Sequence, residues 1–348
     1  MNTKQIDLNQ LNKILISIFL VSLFLYLGKV FLIPVAIAVF FAMLLFPVSR
    51  KLQAYGLKNS PAAFISILLL LVTLVIVGAV VYQKITDLQK DLPELEQKIA
   101  QKTHRLQWLL SRTTDLSEYE QDAILEAKKP DIIKAVAKAV KNVLVDSLYF
   151  LLQIFIVLTY TFFFIIYRHK IQNFFVKLHF FEHKDESRKV LYQTAGIVHD
   201  YLKGTFIVIS VLAVIYALGF WTMGIEHALL FALITALLRI VPYFGSFLGI
   251  AFPIAFAFIT KESMWTPVLL ILFFMVTQLL EANLLTPYIT GSRVKLNPLA
   301  TIMVILLGNL LWGIPGMILF VPLFGILKVL CDEIPSLQPY GYMLGKED

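Results

Sequence analysis

The sequence predicts an all-α polytopic membrane protein, with about six full spans and two apolar segments that are interrupted by glycine and proline. Hydrophobic residues make up 59% of the 348 positions and charged residues only 15%, with a mean hydropathy of +0.79. A soluble fold of this size cannot bury that much apolar surface. Several apolar runs also reach the roughly 20 residues that a helix needs to cross a ~30 Å hydrocarbon core. Two further runs are broken near their middle, as discontinuous membrane helices are.

Six uninterrupted apolar runs account for the predicted spans. They lie at about residues 14–28, 30–48, 61–82, 143–167, 204–224 and 265–285. The first two runs meet at Gly28, which predicts a tight hairpin. The Ala-Ile-Ala sequence at 36–38 resembles a signal-peptidase site, but apolar residues continue to Pro47, so we expect a retained anchor.

Basic residues predict the orientation of these spans. They cluster at Lys4 and Lys13, at Arg50, Lys51 and Lys58, from Arg168 to Lys203, and at Arg293 and Lys295. All four groups fall on one side, and an excess of lysine and arginine in short loops marks the cytoplasm. We therefore expect a multi-pass protein of the inner or plasma membrane with both termini in the cytoplasm. Because this topology explains the net charge of +7, the predicted partner is the lipid bilayer and not nucleic acid.

The segment 83–142 is predicted to lie outside the cytoplasm, because long loops escape the charge rule. An apolar stripe recurs in it at intervals of about four and three, formed by Leu88, Leu92, Leu95, Ile99, Leu106 and Leu109 or Leu110. This spacing is typical of one face of a helix. Two interpretations remain open: a helical hairpin that packs on itself, and a stripe that packs against a neighbouring protomer.

The two broken segments run from 225 to 260 and from 298 to 330. Each half is about 14 to 17 residues long, which is short for a span. We predict two re-entrant helical hairpins that enter from opposite faces, with tips that face each other near the midplane. The alternative is that the halves cross fully, giving eight to ten spans. The predicted tip residues are Pro242, Gly245 and Ser246 in the first segment and Gly313, Pro315 and Gly316 in the second. Gly245 and Gly249 also form a small-residue pair that permits close helix packing.

Polar residues within these apolar segments are the candidate solute or ion ligands. Gln278 and Glu281 lie one turn apart on one helix face. A carboxylate inside the hydrocarbon core of a membrane is energetically costly unless it is paired or neutral. Arg239 is the natural counter-charge for Glu281. The alternatives are an interfacial carboxylate or a fixed structural ion pair for Glu281, and a cytoplasmic location for Arg239 if the segment spans. Asn283 is a further candidate ligand, and Asn309 either caps a broken helix or contacts a solute.

Four motifs in the C-terminal third carry a family resemblance. They are Arg239-Ile-Val-Pro-Tyr-Phe-Gly-Ser246, Gln278-Leu-Leu-Glu281-Ala-Asn283-Leu-Leu-Thr-Pro287, Gly291-Ser-Arg293-Val-Lys-Leu-Asn-Pro298-Leu-Ala, and Gly-Ile-Pro-Gly316 with Val321-Pro322. Their order, together with the span layout, resembles the autoinducer-2 exporter (AI-2E) family of permeases. The resemblance implies export of small molecules, sodium or lithium/proton antiport in some members, and a homo-oligomer for which a pentamer is one arrangement. The family's usual Gly-Pro after the Val-Pro-Tyr turn is Gly245-Ser246 here.

Five regions follow from these patterns. They are 1–82 with the N-terminal transmembrane helices, 83–142 as the extracytoplasmic helical segment, 143–203 with the fourth span and a cytoplasmic amphipathic helix, 204–330 as the transport core with both broken segments, and 331–348 as a cytoplasmic tail.

Several enzyme classes are excluded by the motifs that the sequence lacks. It has no G-x-x-x-x-G-K-[ST] phosphate loop, no H-E-x-x-H and no G-x-S-x-G. We therefore predict no enzyme and no cofactor. His179 and His183 are spaced like a metal-binding pair, but the stretch 174–185 favours an amphipathic interfacial helix, so no metal site is predicted.

Three functions from different classes remain. The leading one is a secondary exporter of a small, autoinducer-2-like polar solute, driven by an ion gradient with Glu281 as the coupling site. The second is a Na⁺(Li⁺)/H⁺ antiporter that uses the same glutamate. The third is a membrane scaffold that transports nothing and acts through the segment 83–142.

Overall fold

The structure is a computed structural model, and it describes residues 8–91, 93–94, 97–98, 147–177, 184–241, 244–290 and 296–346. Its elements are α1 (Leu8–Leu27), α2 (Lys29–Ala54), α3 (Asn59–Lys90), α4 (Ser147–Ile166), α5 (Arg168–Lys177), α6 (Lys184–Thr222), α7 (Ala228–Leu238), α8 (Phe244–Thr260), α9 (Trp265–Leu280), a π-helix (Glu281–Thr290), α10 (Pro298–Trp312), α11 (Ile314–Glu333), a short 3₁₀ turn (Pro335–Leu337) and α12 (Gln338–Leu344). The elements of these ranges are all helical, so the predicted all-α class is confirmed.

Several of these helices are long and apolar enough to cross a membrane. They are Lys29–Ala54, Asn59–Lys90, Gln193–Thr222, Trp265–Ile289 and Ile314–Glu333, with a sixth if the bent pair Leu152–Ile166 and Arg168–Lys177 counts as one span. Large apolar side chains such as Phe19, Trp221 and Leu310 are exposed on the helices, as lipid-facing residues are. The polytopic membrane class is therefore confirmed. The exact number of spans and the re-entrant hairpins stay predictions.

Helix α11 corrects one prediction, because the second half of the second broken segment is not short. It runs for 20 residues from Ile314, which is enough to cross a membrane on its own. Pro315 and Gly316 are predicted tip residues, which places the expected start of this half after Gly316. Proline is tolerated in the first turn of a helix, where its missing N–H has no acceptor within the helix. The helix therefore starts directly after Gly313.

Helices α3 and α6 also run further than their apolar cores. α3 continues past residue 82 to Lys90, where Asp87 pairs with Lys84 at 3.6 Å and with Lys90 at 3.2 Å. α6 extends for 39 residues without a proline, so part of the predicted cytoplasmic region 143–203 is continuous with the fifth apolar run. The histidine pair at 179 and 183 lies outside the described residues, as do all residues of the stripe after Leu88.

The chain forms two compact units. One comprises residues 1–68, 155–205 and 290–348, and the other comprises residues 69–154 and 206–289. We call them the terminal unit and the central unit. The terminal unit has a core formed by Phe40 of α2, Val198 of α6, Val304, Ile305, Leu311 and Trp312 of α10, and Leu319, Phe320 and Val321 of α11.

The central unit has its own core, in which α6 to α9 meet. Its buried members include Leu212, Tyr216 and Phe220 of α6, Phe231 and Ala236 of α7, Ile250 and Phe256 of α8, and Leu270 and Phe274 of α9. Leu88, the first residue of the predicted outer stripe, packs against this core. At that one position the stripe packs against the same chain.

Candidate functional site

The first broken segment is a helical hairpin, α7 and α8, whose two helices touch through glycine. A methyl group added at Gly249 would lie 2.6 Å from the Cα atom of Thr235. Near the turn, a methyl group at Gly245 would lie 1.7 Å from the carbonyl oxygen of Leu238. The Thr235 hydroxyl donates to the Gly249 carbonyl at 2.9 Å and ties the two helices together. The predicted packing role of this small-residue pair is therefore present in the hairpin.

The turn of this hairpin places Arg239 against Glu281. Arg239 follows the last residue of α7, and Glu281 begins the π-helix that continues α9. Nε and Nη2 of Arg239 both contact Oε1 of Glu281. The Glu281 side chain is 5% exposed and the Arg239 side chain 25%. Arg239 and Glu281, which are 42 positions apart and were predicted to pair, are therefore in contact in the structure.

Two buried oxygens beside this ion pair have no hydrogen-bond partner among the described residues. They are Oε2 of Glu281 and Oε1 of Gln278. The two residues are three positions apart, so both side chains leave the same helix face. A buried acceptor without a donor costs about 1–3 kcal/mol, and more when it is charged. Arg239 therefore contacts one oxygen of the carboxylate, and the other oxygen has no partner among the described residues.

A π-helix that was not predicted from the sequence continues α9. It extends over ten residues, whereas most π-helical segments are single turns, often at functional sites. Pro287 lies inside it, and a proline cannot donate the i to i−4 bond of an α-helix and clashes with the carbonyl of residue i−4. That proline was the available sequence signal for the π-helix.

Asn283, a predicted ligand, is exposed. Its side-chain amide donates to the Leu279 carbonyl at 2.9 Å, so it is bound to its own helix.

The second broken segment is also a hairpin closed by glycine. A methyl group at Gly316 of α11 would lie 1.9 Å from the carbonyl oxygen of Gly308 of α10. Gly313 forms the turn with φ 65° and ψ −143°, a conformation that side chains disfavour. The backbone carbonyl of Asn309 accepts from Gly313 N–H at 2.9 Å. The Asn309 side chain is exposed and makes no hydrogen bond to another described residue, so it caps neither helix there.

The remaining predicted tip residues fall at or beside these turns. Pro242 lies outside the described residues. Gly245 and Ser246 are buried in the first turn of α8, and Pro315 and Gly316 lie in the first turn of α11. The two tips belong to different units, so their predicted approach at the midplane stays a prediction.

His227, which is not among the predicted site residues, begins the first hairpin. It has φ 58° and ψ 28°, the one left-handed non-glycine backbone among the described residues. Its Nε2 atom lies 2.8 Å from a carboxylate oxygen of Asp91, and its ring packs edge-on against Phe256 of α8. These contacts fix the open end of the hairpin to the segment that follows α3.

Asn297 fixes the start of the second hairpin. Its side-chain oxygen accepts from Ala300 N–H at 2.7 Å and caps α10. Its side-chain amide donates to the carbonyls of Met343 at 2.8 Å and Gly345 at 2.9 Å. The predicted cytoplasmic tail thus contains a helix, α12, that is bound back to the beginning of α10. We call this group of bonds the Asn297 clasp.

Comparison with known proteins identifies the family of this sequence. The sequence profile described as "AI-2E family transporter" matches residues 14–336. Over 131 residues the chain is 37% identical to "Putative transport protein YrrI" of Bacillus subtilis, a match that covers 38% of this chain and 36% of that relative. It is 24% identical over 260 residues to "Putative transport protein YueF" of the same organism, covering 72% and 69%.

A third relative matches over most of its length. The chain is 22% identical over 321 residues to "Putative transport protein YhhT" of Escherichia coli, covering 90% of this chain and 88% of that protein. The family profile includes both glycine-closed hairpins and the Arg239–Glu281 pair, because all of them lie within residues 14–336.

Proposed function

Because this chain belongs to the AI-2E transporter family, with a match over nearly its whole length, we propose that it is a secondary transporter that exports a small polar solute. The family and the relatives support a membrane transport role. An ion gradient drives export in this proposal, and Glu281 is the site that couples the ion to the solute.

The half-satisfied carboxylate of Glu281 is the observation that carries this proposal. Oε1 is held by Arg239, and Oε2 is buried without a partner among the described residues. An ionised group in an apolar membrane segment is under pressure to be neutralised. A proton or cation on Oε2 would weaken the hold on Arg239, which lies at the turn of the α7–α8 hairpin. Loading of the carboxylate would thus be coupled to movement of that turn.

Na⁺(Li⁺)/H⁺ antiport is the second candidate, and a specific observation favours it. The unpartnered oxygens of Glu281 and Gln278 are both oxygen ligands on one helix face. Hard cations prefer carboxylate and amide oxygens to nitrogen or sulfur. A site that binds a cation or a proton in turn, with no solute beside it, would exchange one for the other.

A proteoliposome assay separates these functions. Purified protein is reconstituted, and proton movement is followed under an imposed pH, sodium or lithium gradient, with and without an autoinducer-2-type solute. We expect solute-dependent flux for the exporter and cation-dependent proton flux without solute for the antiporter. If the flux in proteoliposomes does not exceed the flux in protein-free vesicles under any of these gradients, the membrane scaffold is the remaining function.

Glu281→Gln tests the coupling site within the same assay. It keeps the size of the side chain but cannot titrate, so gradient-driven flux and its pH dependence should be lost while folding is kept. Glu262→Gln, an exposed carboxylate between α8 and α9, is the matched control and should behave as wild type. Coupled flux with an unchanged pH profile in Glu281→Gln would disprove the assignment of Glu281.

A further inference from the structure

A fixed arginine lies at the sharp break between α4 and α5 in the terminal unit. The two helices meet at an angle of 68° around Tyr167, and Arg168 is the first residue of α5. Its guanidinium group lies 4.5 Å from the centre of the Phe46 ring of α2. Its Nη2 atom donates to the side-chain oxygen of Gln53 at 3.3 Å. The Arg168 side chain is therefore held in one place.

A polar network holds Gln53 in turn. The Gln53 amide donates to Ser49 Oγ at 3.1 Å and to Asn59 Oδ1 at 3.2 Å. Asn59 donates to the Ile166 carbonyl at 3.4 Å, at the end of α4. These bonds join the end of α2, the start of α3 and the end of α4. The position of the guanidinium group is thus fixed by contacts with three helices, whereas a solvated surface arginine has no such contacts.

The positive charge at this position is not neutralised by the described residues. Burial, and after it the neighbouring Arg50 guanidinium, lower the pKa of Arg168 below its usual value. No acidic group in the described ranges forms an ion pair with Arg50 or Arg168, and Nη1 of Arg168 is buried without a hydrogen-bond partner. Two like charges near each other repel, and an oxyanion bound to both would remove that repulsion.

The surroundings of this arginine pair are those of a membrane interface. Large exposed aromatic residues follow α2 at Tyr55, separate α4 from α5 at Tyr167, and lie on α5 at Phe174 and Phe175. Aromatic side chains collect at the headgroup level, and an amphipathic helix with basic residues lies in the same layer. The charge distribution predicts that this end of the helices is cytoplasmic. A phosphate that reaches it from the bilayer would belong to a lipid of the inner leaflet.

We propose that Arg50 and Arg168 bind the phosphate group of an anionic glycerophospholipid of the cytoplasmic leaflet. Arginine suits this role because its guanidinium carries several charged N–H donors, and those on Nη1 of Arg168 have no acceptor among the described residues. The exposed aromatic side chains around the site would contact the glycerol and the upper acyl chains. Free inorganic phosphate presents the same oxyanion but nothing for these aromatic side chains to contact.

The test uses the full-length protein in zwitterionic detergent, with short-chain phosphatidylglycerol, short-chain phosphatidylcholine and inorganic phosphate as separate probes. Thermal unfolding is followed as each probe is titrated. We expect phosphatidylglycerol to raise the unfolding temperature in a saturable way, and the other two probes to raise it little. Arg50→Gln and Arg168→Gln should each weaken the apparent phosphatidylglycerol affinity about tenfold, since a charge-assisted bond is lost.

Lys170→Gln is the matched control, because it removes one exposed positive charge from the same helix without touching the arginine pair. It should change the affinity by less than about twofold. If Lys170→Gln weakens binding as much as the arginine variants do, the effect is general surface charge and the site is disproved. Equal stabilisation by inorganic phosphate overturns the lipid assignment, and equal stabilisation by phosphatidylcholine overturns the charge requirement. If Arg168→Gln does not fold, Arg50→Gln decides the question, since Arg50 is exposed and outside the network.

Discussion

The two broken segments use the same means of closure for different purposes. In the α7–α8 hairpin and in the α10–α11 hairpin, glycine lets backbone touch backbone near the turn. The first turn then presents Arg239 to a buried carboxylate. Beside the second turn, Trp312 is buried against Phe320, with ring centres 5.2 Å apart, and donates to the Leu25 carbonyl of α1 at 2.9 Å. In both hairpins glycines allow the two helices to pack closely. The residues beside the turn differ, so the first turn contributes to an ion pair and the second fixes α1.

The largest expected effect comes from breaking the charged pair of the first hairpin. Arg239→Met should lower the free energy of unfolding by about 3–5 kcal/mol, because it leaves the buried Glu281 carboxylate without its cation. The double variant Arg239→Met/Glu281→Gln should recover most of that loss, since no buried charge remains. Denaturant or thermal unfolding in detergent measures both.

The second hairpin offers a control for this prediction. Lys328 and Asp332 of α11 also form an ion pair, but Asp332 is 41% exposed. Lys328→Met should therefore cost less than about 1 kcal/mol. Equal losses in Arg239→Met and Lys328→Met would show that the two ion pairs contribute equally to stability.

The glycine contacts should give the next largest effect, and it should be similar in both hairpins. Gly245→Ala and Gly316→Ala each place a methyl group within 2 Å of a backbone oxygen. We expect a loss of about 1–3 kcal/mol or more from each, as in overpacked cores. The measurement is the unfolding temperature together with the fraction of protein that is monodisperse.

Two helical glycines with open surroundings serve as matched controls. No atom lies within 4 Å of a methyl group added at Gly78 of α3 or at Gly196 of α6. Alanine at these positions should be neutral or should stabilise the helix by up to about 1 kcal/mol. Unfolding temperatures of Gly245→Ala or Gly316→Ala that match those of the controls would contradict the close helix contacts.

A smaller effect is expected from the anchor of the second hairpin. Trp312→Phe keeps an aromatic ring against Phe320 but removes the donor to the Leu25 carbonyl. Loss of one such bond should cost about 1 kcal/mol, and it should increase amide hydrogen exchange at the end of α1. Trp265→Phe is the control, because Trp265 is 73% exposed. Unchanged exchange near Leu25 in Trp312→Phe would mean that the bond does not hold α1.

The smallest effect should come from the outer contact of the first hairpin. Asp91→Asn weakens the bond to His227, and because Asp91 is 46% exposed the expected loss is less than about 1 kcal/mol. Hydrogen exchange at the first turn of α7 should nevertheless rise. Glu262→Gln provides a control at another exposed acid of the same unit. If Asp91→Asn destabilised the protein as much as Arg239→Met does, the buried pair would not be the stronger of the two contacts.

Much of the fold could be predicted because it depends on composition and on local pattern. Apolar runs of membrane-spanning length predict helices whatever their partners are. The pairing of Arg239 with Glu281 was also predictable, since a charge in an apolar segment needs a partner and few are available. Gln278 could be placed beside Glu281 because helical spacing alone puts them on one face.

Other features were not predictable because they depend on contacts or on small local choices. The pairing of Gly308 with Gly316 requires knowledge of how α10 and α11 cross, which local sequence does not contain. The length of α11 was underestimated because a proline at the start of a helix and a proline that breaks one look alike in sequence. The π-helix arises from a shift of one residue in backbone bonding, for which Pro287 was the single local signal.

The Asn297 clasp has a consequence for how the chain is made. The two carbonyls that accept from the Asn297 side chain lie 46 and 48 residues later in the sequence. Residues are added in order during synthesis, so Asn297 is made before the two carbonyls that its side-chain amide binds. The local bond from Ala300 N–H to the Asn297 side-chain oxygen can form early, whereas the two amide bonds must wait until α11 and α12 have been synthesised. The clasp is therefore among the last contacts of the terminal unit to be completed.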